Sequence, residues 1–98
     1  MNVSFDADDF DRLETDSTFS AGFPSAIVKL YRSRLQVIRA AADERDFYAL
    51  KSWHYEKLQG KRRHQRSIRL NDQWRLVLEL QDADDGKRVH IVGIEDYH

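Results

Sequence analysis

The residue pattern predicts an α+β fold, with N-terminal helices packed on one face of a small antiparallel β-sheet. Two observations carry that expectation. Between Pro24 and Ala42 apolar residues recur at helical spacing, whereas from Ser67 onward they alternate with polar ones as in a half-buried strand. A third sets the scale: 98 residues leave room for one hydrophobic core, so residues 1–98 are expected to form a single domain.

Residues 2–5 suit a short strand. From Asp6 to about Glu14 acids crowd a first turn, where they complement the helix dipole, and Phe10 and Leu13 lie three apart; a short helix is expected. Ser17 to Phe23 is loop-like. Pro24 then opens the clearest helix, in whose first turn proline is tolerated. Ile27, Leu30, Tyr31, Leu35, Ile38 and Ala42 form its apolar stripe, with Lys29, Arg32, Gln36 and Arg39 on the other side. Asp43 to Ala49 is a polar break with room for one helical turn. Lys51 to Leu58 alternates Trp53, Tyr55 and Lys57 against His54, Glu56 and Leu58, and is read as extended. Gly60 to Gln65 is a basic loop. Ser67–Leu70 and Trp74–Leu80 are strands joined by a tight Asn71-Asp72 turn, with Ile68, Leu70, Trp74, Leu76, Leu78 and Leu80 facing the core helix. Gln81 to Lys87 is a second turn, and Val89 to Ile94 a last strand.

Composition narrows the function. No apolar run approaches the roughly 18 residues of a membrane span. Met1 to Asp6 shows no signal-peptide pattern, so a cytoplasmic protein is expected. The absence of cysteine removes disulfides, thiolate zinc sites and thiol nucleophiles. A formal net charge of −1 conceals a strong asymmetry. Asp6, Asp8, Asp9, Asp11, Glu14 and Asp16 face only Arg12 in the first 16 residues, while Lys57, Lys61, Arg62, Arg63, Arg66, Arg69 and Arg75 face only Asp72 between 57 and 75. A local basic surface of that density attracts polyphosphate whatever the net charge. Arginine on the outer positions of a strand suits RNA on a sheet face.

The four histidines, His54, His64, His90 and His98, have no metal-ligand spacing, so neither metal nor other cofactor is expected. His98 follows a strand and adjoins Asp96 and Tyr97. If that strand pairs beside Trp74–Leu80, the tail comes near one end of the arginine-bearing face. Imidazole, carboxylate, phenol and guanidinium together suit metal-free RNA cleavage: the 2′-OH loses a proton, the phosphorane gathers negative charge and the 5′-oxygen gains a proton.

The run from Lys57 to Leu76, KLQGKRRHQRSIRLNDQWRL, resembles the block L-K-G-x-R-x-G-x-x-S-I-R-x-N-x-Q-[WY]-R of HigB toxins in the RelE/ParE superfamily. The end, Ile94-Glu95-Asp96-Tyr97-His98, resembles that family's [VI]-x-D-Y-H terminus. The resemblance implies a RelE-like fold, cleavage of mRNA in the ribosomal A site, and inhibition by a HigA-type helix-turn-helix antitoxin. It assigns the scissile phosphate to Arg75, a catalytic tail to Asp96, Tyr97 and His98, and RNA contacts to Lys57, Lys61, Arg62, Arg63, Arg66 and Arg69. Some members carry a histidine where this chain has Glu56. Either Glu56 or His54, two residues earlier, is the candidate proton acceptor. The motif's lysine is Gln59 here, its second glycine is His64 or Gln65, and the acidic first 20 residues replace a basic start. A ParE-like gyrase poison and a non-toxic RNA-binding relative are the competing readings; the first has no need of the Asp-Tyr-His tail.

Overall fold

The computed structural model describes residues 1–84 and 86–96. Strand β1 (Asn2–Phe5) leads into helices α1 (Asp8–Thr15), α2 (Ser25–Ala40) and α3 (Arg45–Ala49). A short 3₁₀ turn (Lys51–Trp53), β2 (Glu56–Lys57), a second 3₁₀ turn (Gly60–Arg62), and strands β3 (Gln65–Arg69), β4 (Trp74–Ala83) and β5 (Gly86–Asp96) follow. The five strands form one sheet in the order β1-β5-β4-β3-β2.

The α+β expectation holds, with one change of topology. Strands β2 to β5 pair antiparallel, but β1 adds to β5 in parallel, from Asn2 opposite Arg88 to Phe5 opposite Ile91. A parallel neighbour needs a long crossover, and the helices between β1 and the remaining strands supply it.

The core lies between α2 and the inner face of the sheet. Ile27, Val28, Tyr31, Leu35 and Ile38 are the buried stripe of α2. Ile68, Leu70, Leu76, Leu78, Val89 and Ile91 are buried across the strands. Leu30 is only partly buried, and Ala42 lies beyond the helix and is exposed. Pro24 stands one position earlier than expected, as the N-cap: its carbonyl accepts from the Ile27 and Val28 amides at 3.0 and 3.1 Å, starting the helical ladder. Arg32, expected on the solvent side, instead donates to the carbonyls of Leu13, Asp16 and Phe19 at 2.9, 2.9 and 3.2 Å. It thereby caps the C-terminal end of α1 and docks that helix on α2.

The largest departure is at Lys51–Leu58, which is not extended throughout. Trp53 and Tyr55 are both buried, as the alternation required. Both pack on the Phe47 ring of α3, at centroid distances of 5.6 and 5.3 Å. Bringing two nearby side chains onto one ring folds the chain back. The fold-back is made by the 3₁₀ turn and by His54 in the left-handed region (φ 44°), leaving only Glu56–Lys57 as strand.

The β3–β4 turn is longer than Asn71-Asp72. Asn71 Oδ1 accepts from the Gln73 and Trp74 amides at 2.9 and 2.8 Å, and the Leu70 amide donates to the Trp74 carbonyl at 2.9 Å. The β4–β5 turn is shorter than Gln81–Lys87, because pairing continues to Ala83 opposite Gly86. Among the described residues no helix is long and apolar enough to cross a membrane.

Candidate active site

Strand alternation sets up the site. With Ile68, Leu76 and Ile94 turned toward the helices, their neighbours Ser67, Arg69, Arg75 and Glu95 point to the opposite face. Cross-strand register aligns them: Glu56 opposite Ser67, Arg69 opposite Arg75, and Arg75 opposite Glu95. Arg69 and Arg75 therefore lie side by side, flanking the hairpin away from the apolar residues, as the sequence predicts.

A cleft of about 350 Å³ opens on this face, lined by His54, Glu56, Ser67, Arg69, Asn71, Asp72, Trp74 and Arg75. Both candidate proton acceptors border it. The left-handed backbone at His54 is a conformation that non-glycine residues adopt at a cost. It brings the imidazole to the rim, with Nε2 3.5 Å from Arg69 Nη1. Arg69 also forms an ion pair with Asp72. Glu56 and Arg75 recur together in an adjoining concavity, with Lys57, Leu58, Gln59 and Arg62. Ser67 forms part of the cleft lining although only 3% of it is exposed; sequence reading passed over it because serine in a strand carries no signal of its own.

The remaining basic residues divide. Lys57, Lys61 and Arg63 are exposed. Arg62 is engaged: Nη1 and Nη2 donate to the two carboxylate oxygens of Glu95 at 2.9 and 2.6 Å, and Nε donates to Gln65 Oε1 at 2.8 Å. That pairing holds the Arg62 guanidinium above its usual pKa. Arg66 pairs across the sheet with Leu78, on the helix-facing side, with Nε 3.4 Å from Glu44 Oε2. Glu44 also accepts from the Tyr55 hydroxyl at 2.7 Å, and burial, together with that bond, pushes the Tyr55 phenol up.

Asp96 lies opposite Trp74, so alternation assigns it to the face opposite Arg75, at the hairpin end of the sheet. Its carboxylate accepts from Gln73 Nε2 at 3.2 Å. Tyr97 and His98 lie outside the described residues.

Comparison with known proteins agrees with this architecture. The chain resembles the YoeB/ParE toxin from Agrobacterium tumefaciens, with a TM-score of 0.61 and 14% identity over 100% of both chains. It resembles the YoeB dimer structure from Staphylococcus aureus with a TM-score of 0.53 and 20% identity, covering 100% of this chain and 97% of that one. HP0894 from Helicobacter pylori, described as a conserved hypothetical protein, gives a TM-score of 0.53 at 14% identity over 99% and 94% of the two chains. These identities speak to the fold. No curated protein sequence matches the chain. The model of the HigB-like toxins, described as RelE-like toxins of the type II toxin–antitoxin system HigB, matches residues 3–91. The chain belongs to the HigB-like family of RelE-like type II toxins.

Proposed function

We infer that this toxin is a metal-independent endoribonuclease that cleaves mRNA in the ribosomal A site. The observation that carries the reading is the cleft itself: two arginines and two candidate proton acceptors on one wall of a sheet face. RNA cleavage needs that combination. Glu56 takes the 2′-OH proton, because it borders both concavities that Arg75 borders, while His54 is the alternative acceptor. The 2′-oxygen attacks phosphorus, Arg75 stabilises the charge gathered on the phosphorane, with Arg69 beside it shared with the exposed Asp72 carboxylate, and His98 donates a proton to the departing 5′-oxygen. Tyr97 belongs to the same tail, and Asp96, which the strand register assigns to the opposite face, anchors that tail through Gln73 Nε2. Lys57, Lys61 and Arg63 extend the surface for phosphates of mRNA or ribosomal RNA. Arg62 and Arg66, which the sequence places in the same set, are held by carboxylates.

In this reading the ribosome supplies the in-line alignment of the 2′-OH for attack on phosphorus. As a member of a toxin–antitoxin family the chain has an antitoxin partner; the sequence resemblance points to one of HigA type. The family match ends at Ile91, so the assignment of the tail rests on the sequence resemblance.

Induction of the protein and of its Arg75→Ala and His98→Ala variants tests the proposal. Growth arrest with truncated translated transcripts is expected for the parent protein and is lost in both folded variants. Undiminished toxicity of both variants, or arrest accompanied by DNA breaks with intact mRNA, overturns it. The latter would indicate a gyrase poison.

A further inference from the structure

Arg34 lies on α2, outside the basic run between 57 and 75, and no residue pattern singles it out. Its surroundings do. The guanidinium carbon sits over the Trp53 ring, 5.4 Å from the centroid, and Nη2 donates to the Arg69 carbonyl at 3.4 Å. Trp53 directly precedes His54, and the His54 and Arg69 side chains meet at 3.5 Å in the lining of the cleft. Arg34 is not in that lining, but it stands next to the backbone of this part of the rim.

The Arg34 charge has no counter-ion among the described residues, whereas Arg62, Arg66 and Arg69 each pair with a carboxylate. Nε is buried without a hydrogen-bond partner, and the long contact to the Arg69 carbonyl is the one hydrogen bond the group makes among those residues. Burial lowers the Arg34 pKa, and an arginine nonetheless stays charged at neutral pH. A partly buried cation is disfavoured until an anion offsets the water it has lost, and an indole face does so only in part. Arg69 adds a second positive charge at the same corner, balanced by an Asp72 carboxylate that is itself 93% exposed. The Arg34 side chain is only partly buried, so a ligand can reach it. A protein carboxylate would also accept from it. An RNA strand, however, carries a charge at every phosphodiester, so seating one phosphate in the cleft brings a neighbouring one to the rim.

We propose that Arg34, held against Trp53, binds a second phosphate of the RNA strand, the one next to the phosphate seated in the cleft. The proposal rests on the reading of the cleft as an RNA site. It makes α2 part of the RNA-binding surface and gives that surface a cation that lies outside the basic hairpin. The bland alternative is that Arg34 only covers the Trp53 ring. The two differ in a measurable way, because a phosphate contact contributes to the salt dependence of RNA binding and a ring contact does not.

The test uses a fluorescein-labelled 2′-O-methyl RNA hexanucleotide, which lacks the hydroxyl needed for cleavage, and reads binding by anisotropy over a series of salt concentrations. Arg34→Gln, which removes the charge and keeps most of the stem, is expected to weaken binding about tenfold at low salt. It is also expected to reduce the slope of log K against log salt by about 0.7, the share of one phosphate on a single strand. Arg34→Lys keeps the charge and is expected to keep the slope. Thermal unfolding checks that each variant is folded. A folded Arg34→Gln protein with the parent's slope overturns the proposal and leaves Arg34 as a cover for Trp53. A parent protein that does not bind the probe overturns it as well. So does an Arg34→Gln variant that loses binding to labelled hexaglutamate while its RNA binding is unchanged, since the site would then take an acidic protein segment. The same proteins are then assayed for cleavage of translated mRNA. The expected binding pattern without cleavage by the parent protein would sink the nuclease reading and leave the Arg34 site standing. Cleavage by the parent protein with an unchanged slope in Arg34→Gln would do the reverse.

Discussion

Arg75 is the residue on which the site turns, since it borders both concavities and lies between Arg69 and Glu95 in the cross-strand row. Replacing it with alanine removes a donor for the phosphorane and is expected to cut cleavage by about 10²–10³-fold, as measured by single-turnover cleavage of ribosome-bound mRNA. Glu56→Gln keeps the shape of the side chain but abolishes its basicity, and a loss of about 10²–10⁴-fold is expected. A greater loss in His54→Ala than in Glu56→Gln would transfer the proton-acceptor role to His54. The arginines were legible in the sequence because strand alternation assigns them to one face without reference to anything distant. The standing of Arg62 and Arg66 was not, because it depends on Glu95 and Glu44, 33 and 22 positions away. Charge density counts cations; only the fold shows which of them carboxylates already hold.

At the scale of elements, α1 is too short to be stable alone and depends on what it touches. Tyr31 donates from its hydroxyl to the Phe10 carbonyl at 2.8 Å, Arg39 forms a two-point contact with Glu14 at 2.7 Å each, and Arg32 caps the last carbonyls. Gly93 leaves the space that the Phe10 ring fills, since a Cβ there would come within 3.2 Å of it. Arg32→Ala removes three hydrogen bonds from a charged donor at a partly buried site, and should cost about 2 kcal/mol in urea unfolding. An unchanged midpoint would show that water replaces the cap. The sequence indicated α2, β3 and β4 well, because each buries one face and its periodicity follows directly. It misjudged Lys51–Leu58 because the pull of Phe47 on Trp53 and Tyr55 outweighs the local alternation. The parallel pairing of β1 likewise leaves no trace in a four-residue strand, whose neighbour is chosen by the path of the helices.

Over the whole molecule, acids gather on α1 and bases on the outer edge of the sheet. An arrangement with so large a local positive field predicts RNA binding that falls steeply with salt, even though the net charge is −1. Its dependence on pH is of a different kind. The Thr18 hydroxyl and amide hold Asp16 below its usual pKa, Arg45 does so for Asp43, and Lys87 for Asp82. A carboxylate lowered in the folded state stabilises that state above its unfolded pKa, and the contribution is lost as pH falls through the folded value. Thermal stability should therefore hold from neutrality down to about pH 5 and decline below the unfolded value of 3.8, modestly, since all three groups are exposed. A decline that begins near neutrality would show that these three carboxylates do not govern the acid side of the stability profile.

The central claim is that the arginine-lined cleft cuts mRNA on the ribosome. Its most direct measurement is 5′-end mapping of one defined mRNA incubated with purified toxin, with and without translating ribosomes, in parallel with the Arg75→Ala protein. The account predicts discrete cuts within codons only when ribosomes are translating, little cutting of the naked transcript, and cutting about 10²-fold or more weaker with Arg75→Ala. Uncut mRNA on translating ribosomes, or equal cutting by the Arg75→Ala protein, would contradict it.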